Sequence, residues 1–181
     1  STPNNAAAFL MPDGKTVEQL EPLARCTVGG NVHGWRNPWG GVDIHGDGIK
    51  GTHFGSGLSA LGGSIRRGEL TGNDPIRHAL KILIWGKKYL HYSQSVPGYR
   101  YPADRADQYA KSEYRGTNSK LVQGSLLAIP SGVTTDSLGL KTEPGKKIFK
   151  ALQNYGGYVV DDAYWNAHYL AVEQGVPEEF R

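Results

Sequence analysis

Sulfur is scarce in this chain: among 181 residues there is one cysteine, Cys26, and one methionine, Met11. A single cysteine closes no internal disulfide and offers no paired-cysteine spacing for zinc, so Cys26 reads either as a small buried thiol or as a contact with another segment of a longer polypeptide. No apolar run approaches the ~20 residues that cross a bilayer, so no membrane span is expected. Charge of one sign is missing too. Lys and Arg total 20 against 17 Asp and Glu, a net charge of +3 with a pI near 8.9. That bias is too weak for a nucleic-acid partner, which calls for Lys and Arg gathered on one face. What the chain does hold is 25 glycines, 10 tyrosines and 10 prolines, a composition of turns and strands with few long helices.

The length fits one domain over residues 1–181. Because it opens Ser-Thr-Pro-Asn-Asn, without an initiator Met or signal segment, it reads as a processed part of a longer secreted polypeptide. Residues 1–6 are polar and expected extended. Ala7 to Leu10 and Thr16 to Leu20 read as a hairpin around the turn Pro12-Asp13-Gly14, with Pro22 to Cys26 a further short strand and Val28 to Trp39 a long loop. Pro75 to Trp85 alternates as a strand, with Ile76, His78, Leu80, Ile82 and Ile84 on one face and Arg77, Ala79, Lys81, Leu83 and Trp85 on the other. Asp104 to Tyr114 suits a short polar helix, and Leu121 to Pro130 a buried strand stopped by proline. Thr142 can cap a helix whose Ile148, Leu152 and Tyr155 share a face and which Gly156 and Gly157 end; Tyr158 to Asp162 then returns as a strand. The expectation is a mainly β chain, a β-sandwich of jelly-roll type with one or two short helices, with α+β as the alternative.

The chain is organised around Gly40 to Leu70, which holds ten glycines and, among them, Asp43, His45, Asp47, His53, Ser56, Ser59, Arg66, Arg67 and Glu69. Glycine permits positive φ and close backbone approach, so this run reads as a folded loop system that holds polar side chains in place. Asp43-x-His45-x-Asp47-Gly48 opens like a calcium loop, but Phe54 stands where an EF-hand needs its last acid. Calcium on Asp43 and Asp47, or a transition metal on His45, Asp47 and His53, remains as a second reading beside plain turn capping. Gly55-Ser56-Gly57 has its glycines adjacent to the serine, not two away, so it is no nucleophile elbow, and no Gly-Lys-Ser/Thr closes a phosphate loop.

His78 reads either as a hydrogen-bonded core residue or as a catalyst, and His53 as a further catalytic candidate. Arg77, Lys81 and Trp85, with Arg100 and Tyr101 from the tyrosine-rich Lys87 to Ala103 loop, are candidate polysaccharide-binding residues; a solvated, ion-paired face is the bland account. Asp161 and Asp162 are candidate catalytic acids. On a strand they point to opposite faces unless the strand bulges, so one is expected in a cleft and the other on a turn or on a cation such as Arg66 or Arg105. A glycosidase would then need a distant second acid such as Glu69, Asp43 or Asp47, whereas a polysaccharide lyase needs a Tyr or His base and a cation.

The succession HFGSGLSALGGSIRRGEL, IRHALKI, GYRYPADRADQYA, GSLLAIP and LQNYGGYVVDDAYW resembles blocks found in this order in a group of secreted microbial proteins, often parts of larger extracellular polypeptides. The resemblance covers roughly residues 3 to 173, departs at Phe54 where the group carries Gly, and implies an extracellular setting without an activity. Together these readings give an expectation of a secreted carbohydrate-active protein that binds and cleaves an extracellular polysaccharide by acid/base chemistry, as a glycoside hydrolase or polysaccharide lyase. The alternative is a non-catalytic extracellular binding or assembly domain. In either case the glycine-rich centre and the Pro75 to Trp85 strand are expected to meet, with Asp43, Asp47 or His53 near His78 or Arg77.

Overall fold

The computed structural model describes residues 6–36 and 41–181. The first sheet is built on a hairpin of β1 (Ala7–Leu10) and β2 (Thr16–Arg25), in antiparallel register from Ala7 opposite Leu20 to Leu10 opposite Val17. Asp13 makes the turn: its carboxylate accepts from the Lys15 and Thr16 amides at 2.9 and 2.8 Å and from the Thr16 hydroxyl at 2.6 Å. The expected strand from Pro22 to Cys26 is the far half of β2 itself. β3 (Val32–Arg36) pairs with that half, although its Gly, His and flanking Asn read locally as loop. Here the partner strand supplies an order that the local composition does not. β4 (Val42–Asp43) completes the sheet at the start of β2.

The second sheet is centred on β5 (Leu80–Ile84) and ordered β6-β7-β5-β8, where β6 is Leu126–Leu127, β7 Gly157–Asp162 and β8 Tyr169–Leu170. β5 and β7 run parallel, and the outer pairings are antiparallel. Helices α1 (Gly86–Tyr89), α2 (Ala110–Glu113) and α3 (Glu143–Asn154) lie between these strands in sequence. The mainly β or α+β class is therefore what the chain adopts; a jelly roll is not established by this topology, whose central pair is parallel. Thr142 caps α3 by accepting from the Gly145 amide, and Gly156, at φ +76°, turns the chain into β7. Ile148 and Leu152 pack inward from α3 as expected, but Tyr155 is exposed.

Two expected elements are shorter than their patterns. Only Leu80–Ile84 of the Pro75 to Trp85 run is strand, and it buries Leu80, Lys81 and Ile84, because Leu80 packs into an apolar cluster with Ile65, Ile76 and Ala151 while Lys81 is covered by the glycine-rich loop, so the alternation of one open face is lost. Of Leu121 to Pro130 only β6 joins the ladder, while the buried residues 122–125 bond to β7 through the Gly124 amide on Val159 O and the Val159 amide on Ser125 O. The proposed helix from Asp104 is confined to α2. One apolar cluster joins Ile65, Leu70, Ile76, Leu80, Ala151 and Val176; a second holds Ile84, Leu90, Ala110, Tyr114 and Val159. Val160 packs with Leu58 and Ala103 in a third, which fastens the glycine-rich loop to β7. Cys26 is exposed with a free thiol, so the buried-thiol reading fails.

Candidate functional site

Period-2 alternation along β2 turns Val17, Gln19 and Glu21 inward, and both polar side chains are 1% exposed. Buried polar groups must find partners, and theirs come from the glycine-rich loop. Gln19 accepts from the Ala60 amide at 2.7 Å, and Glu21 accepts from the Phe54 amide at 2.9 Å. The loop can come this close because of its glycines. A Cβ on Gly55 would lie 2.4 Å from Asp161 Oδ1, and one on Gly57, at φ +74°, 2.2 Å from Asp104 Oδ1.

His53, at the centre of the loop, meets the end of β7. Its Nδ1 lies 3.3 Å from Asp161 Oδ2 and 3.9 Å from Glu21 Oε2, and Lys81 Nζ of β5 stands 3.5 Å from its Nε2. Lys81 also donates to the carbonyls of Ala60 at 2.5 Å and Ser59 at 3.3 Å. Burial is the first cause of each resulting shift. It pushes Glu21 up to about 8, helped by the Asp161 charge, brings Lys81 down to about 8, and lowers His53 against the opposing bond to Asp161.

Asp161 and Asp162 are both buried, and the strand does bulge beside them: Ile82 opposes Val159, but the next residue, Leu83, opposes Asp161. Val160 is the extra residue. Asp162 Oδ1 accepts from the Gly86 and Tyr164 amides, each at 2.7 Å, and its Oδ2 accepts from the Tyr109 hydroxyl at 3.4 Å. Asp162 thus caps a turn, held by backbone and a phenol and not by Arg66 or Arg105, yet it is also the member of the pair that lines the larger cleft, from which Asp161 is absent, so the expected division of one acid in a cleft and the other on a turn does not hold. Behind Asp162, Asp107 accepts from the Tyr114 hydroxyl, which in turn accepts from Gln123 Nε2 at 2.9 Å. Burial and the Asp161 charge raise Asp107 to about 6, and burial raises both phenols above the ordinary tyrosine range.

These groups border a cleft of about 760 Å³ whose lining includes His53, Lys81, Tyr109, Asp162, Trp165 and Tyr169. A smaller cavity of about 350 Å³ also reaches Lys81, with Asp47, Ser59, Tyr101 and Tyr158 in its walls.

Of the residues singled out in the sequence, the fold therefore gathers His53, Asp161, Asp162 and Lys81. The centre and the strand do meet, but through His53 and Lys81. His78 stands elsewhere, with Nε2 3.1 Å from both Glu69 oxygens and Nδ1 2.9 Å from Ala79 O, because the chain is not yet in strand geometry at that position. Arg77 is likewise ahead of β5 and exposed, so Arg77, Lys81 and Trp85 do not share one groove floor; Trp85 is half-buried, and Arg100 and Tyr101 are exposed away from the larger cleft. Asp43 is paired with Lys15 at 3.2 Å and lies 3.3 Å from His45 Nδ1, while Asp47 caps the Ile49 amide at 2.9 Å. Neither meets the other in a metal group. Among the described residues, the group with metal-ligand spacing is Glu21, His53 and Asp161, whose ligand atoms lie within 4.8 Å of one another.

Glu21, Asp107, Tyr109, Tyr114 and Gln123 were not singled out by the sequence. Only Glu21 had a usable signal, since it continues the Val17, Gln19 alternation one step beyond the expected strand. The chain matches no family model, no curated protein and no solved structure.

Proposed function

We propose that the 760 Å³ cleft binds and cleaves an extracellular polysaccharide by acid/base chemistry, the protein being secreted. The observation that carries this reading is the composition of one surface: Tyr164, Trp165 and Tyr169 form an aromatic wall, and His53, Lys81, Tyr109 and Asp162 bring proton donors and acceptors to its base. Aromatic faces pack against the apolar faces of sugar rings, and proton-transfer groups within reach of the bound chain supply catalysis.

The arrangement favours elimination over hydrolysis. A glycosidase needs two carboxyls flanking the bond, and Asp162, the carboxylate in the cleft lining, is already engaged by two amides and a phenol. In elimination, the unprotonated Lys81 amine removes the proton from the carbon beside a uronate carboxylate. The bond from the neighbouring carbon to the glycosidic oxygen breaks, a carbon–carbon double bond forms, and the neutral Tyr109 phenol gives its proton to the departing oxygen. Transfer of the lysine proton back to the phenolate restores the site.

The test is incubation with neutral and uronate-containing glycans, reading new reducing ends and absorbance of unsaturated products. Wild-type protein should release unsaturated ends from a uronate polymer, and Lys81→Met and Tyr109→Phe should abolish that signal. Reducing ends without unsaturation would replace the lyase reading by a hydrolase. Binding without either signal would make the aromatic wall that of a non-catalytic carbohydrate-binding domain.

A further inference from the structure

Glu21, His53 and Asp161 come from three separate parts of the chain: β2 of the first sheet, the glycine-rich loop, and β7 of the second sheet. Nothing in cleavage of the substrate requires Glu21, which is absent from the cleft lining. Yet its Oε2 lies 3.9 Å from His53 Nδ1, which is itself 3.3 Å from Asp161 Oδ2. A charge-assisted hydrogen bond between imidazole and carboxylate runs about 2.7 to 2.9 Å, so 3.3 Å is long for one. Ligands at about 2.0 to 2.2 Å from a common ion, by contrast, stand roughly 3 to 4.4 Å from one another. Both separations fall in that interval.

The outer atoms are also arranged for ligation. Glu21 Oε2 is oriented by the Phe54 amide at 2.9 Å, and Asp161 Oδ1 takes the Asp162 amide at 2.9 Å, leaving Oδ2 toward the ring. Such supporting bonds fix the direction of a ligand oxygen. The region also holds the carboxyls of Asp107 and Asp162, and Lys81 is the buried amine that faces the cluster. Buried charge is tolerated only when paired or bound to metal.

We propose that Glu21, His53 and Asp161 bind one divalent first-row metal ion, of the Zn²⁺ or Mn²⁺ kind, which fastens β2 to β7 through the glycine-rich loop. Mixed imidazole and carboxylate donors suit these ions, whereas Ca²⁺ takes six to eight oxygens. The hydrogens are consistent with it. With the ion on Nδ1, His53 Nε2 carries a hydrogen on the side of Lys81, whose amine is held by Ser59 O and Ala60 O.

The test uses the full chain stripped with chelator and dialysed, carrying Cys26→Ser to remove the exposed thiol. Zn²⁺ or Mn²⁺ should bind with one-to-one stoichiometry by calorimetry and raise the melting temperature by mass action, and Ca²⁺ should not. Glu21→Gln and Asp161→Asn should each weaken binding by about 100-fold, the upper range for loss of a group supporting a metal, while Asp43→Asn leaves it intact. Should the buried variants fail to fold, Mn²⁺ added to the Cys26→Ser chain should broaden the ring resonances of His53 and spare those of His45 and His78. Absence of a bound ion, binding that survives Glu21→Gln, or broadening centred on His45 would each overturn the site.

Discussion

His45 and His53 belong to the same glycine-rich run, and each has its Nδ1 3.3 Å from an aspartate oxygen. The His45–Asp43 pair is 77% and 41% exposed, and the His53–Asp161 pair 6% and 5%. At equal separation, what differs is water. The exposed pair is solvated and screened, and local amides do most of its holding. The buried pair has lost its hydration: the Asp161 charge attracts Lys81 and presses Glu21 toward its protonated form, which is how pKa values come to be displaced toward chemistry. A motif search weighs the two pairs alike; the fold buries only one of them, beside a cleft.

The largest effect expected from this contrast is on turnover. Lys81→Met removes the amine at the base of the cleft and should reduce formation of unsaturated product by ~100-fold or more, the usual scale for a general base. Lys15→Met, which strips the amine from exposed Asp43, should leave it unchanged. Comparable losses in the two variants would mean that the buried cluster is not the catalytic one.

Next in size is stability. Asp161→Ala leaves His53 and Lys81 without their carboxylate in a closed environment, and removal of one partner from such a cluster costs on the order of 3 kcal/mol. Denaturant unfolding would read it as a lower midpoint. A midpoint at the wild-type value would show that the cluster is hydrated and not buried.

The pH dependence should have opposite signs in the two regions. Asp107, raised to about 6 from an ordinary 3.8, binds more protons folded than unfolded between those values, so its contribution to stability is fully present below about 3.8 and is lost as pH rises through 6. Asp43 is held below 3.8, chiefly by the His45 amide, so its contribution is present above 3.8 and lost as pH falls. Melting temperatures in chelator across this window should therefore decline toward pH 6, and Asp107→Asn should flatten the decline. An unaltered slope in that variant would assign it to another carboxyl.

The legible parts of this molecule were those with local causes. The hairpin was visible because Asp13 and Gly14 specify its turn, and α3 because Thr142 and Gly156 specify its ends. The closeness of Asp161 and Asp162 depended on a bulge that the strand rule named as the exception, but nothing local marks Val160 as the extra residue. β3 was hidden because its order comes from β2. Alternation puts Lys81 in a strand, as the fold does, but on an open face where the fold buries it, since alternation assigns sides and says nothing of what covers them. Asp107, Tyr109 and Tyr114 had no signal at all: they are polar residues beside a short helix until β7 folds against them.

The smallest expected effect tests the contrast from its quiet side. Asp43→Asn removes the charge opposite Lys15 and His45 but keeps an oxygen able to accept from the His45 amide, the bond at 2.9 Å that holds the turn. Since both side chains are in water, the lost charge is replaced by hydration, and exposed pairs of this kind contribute little. The melting temperature should stay within the scatter of replicate scans, turnover should be unchanged, and the Zn²⁺ response should match that of the parent chain. A loss of any of the three as large as that caused by Asp161→Ala would transfer the site to the exposed loop, and burial would no longer be what separates the two histidines.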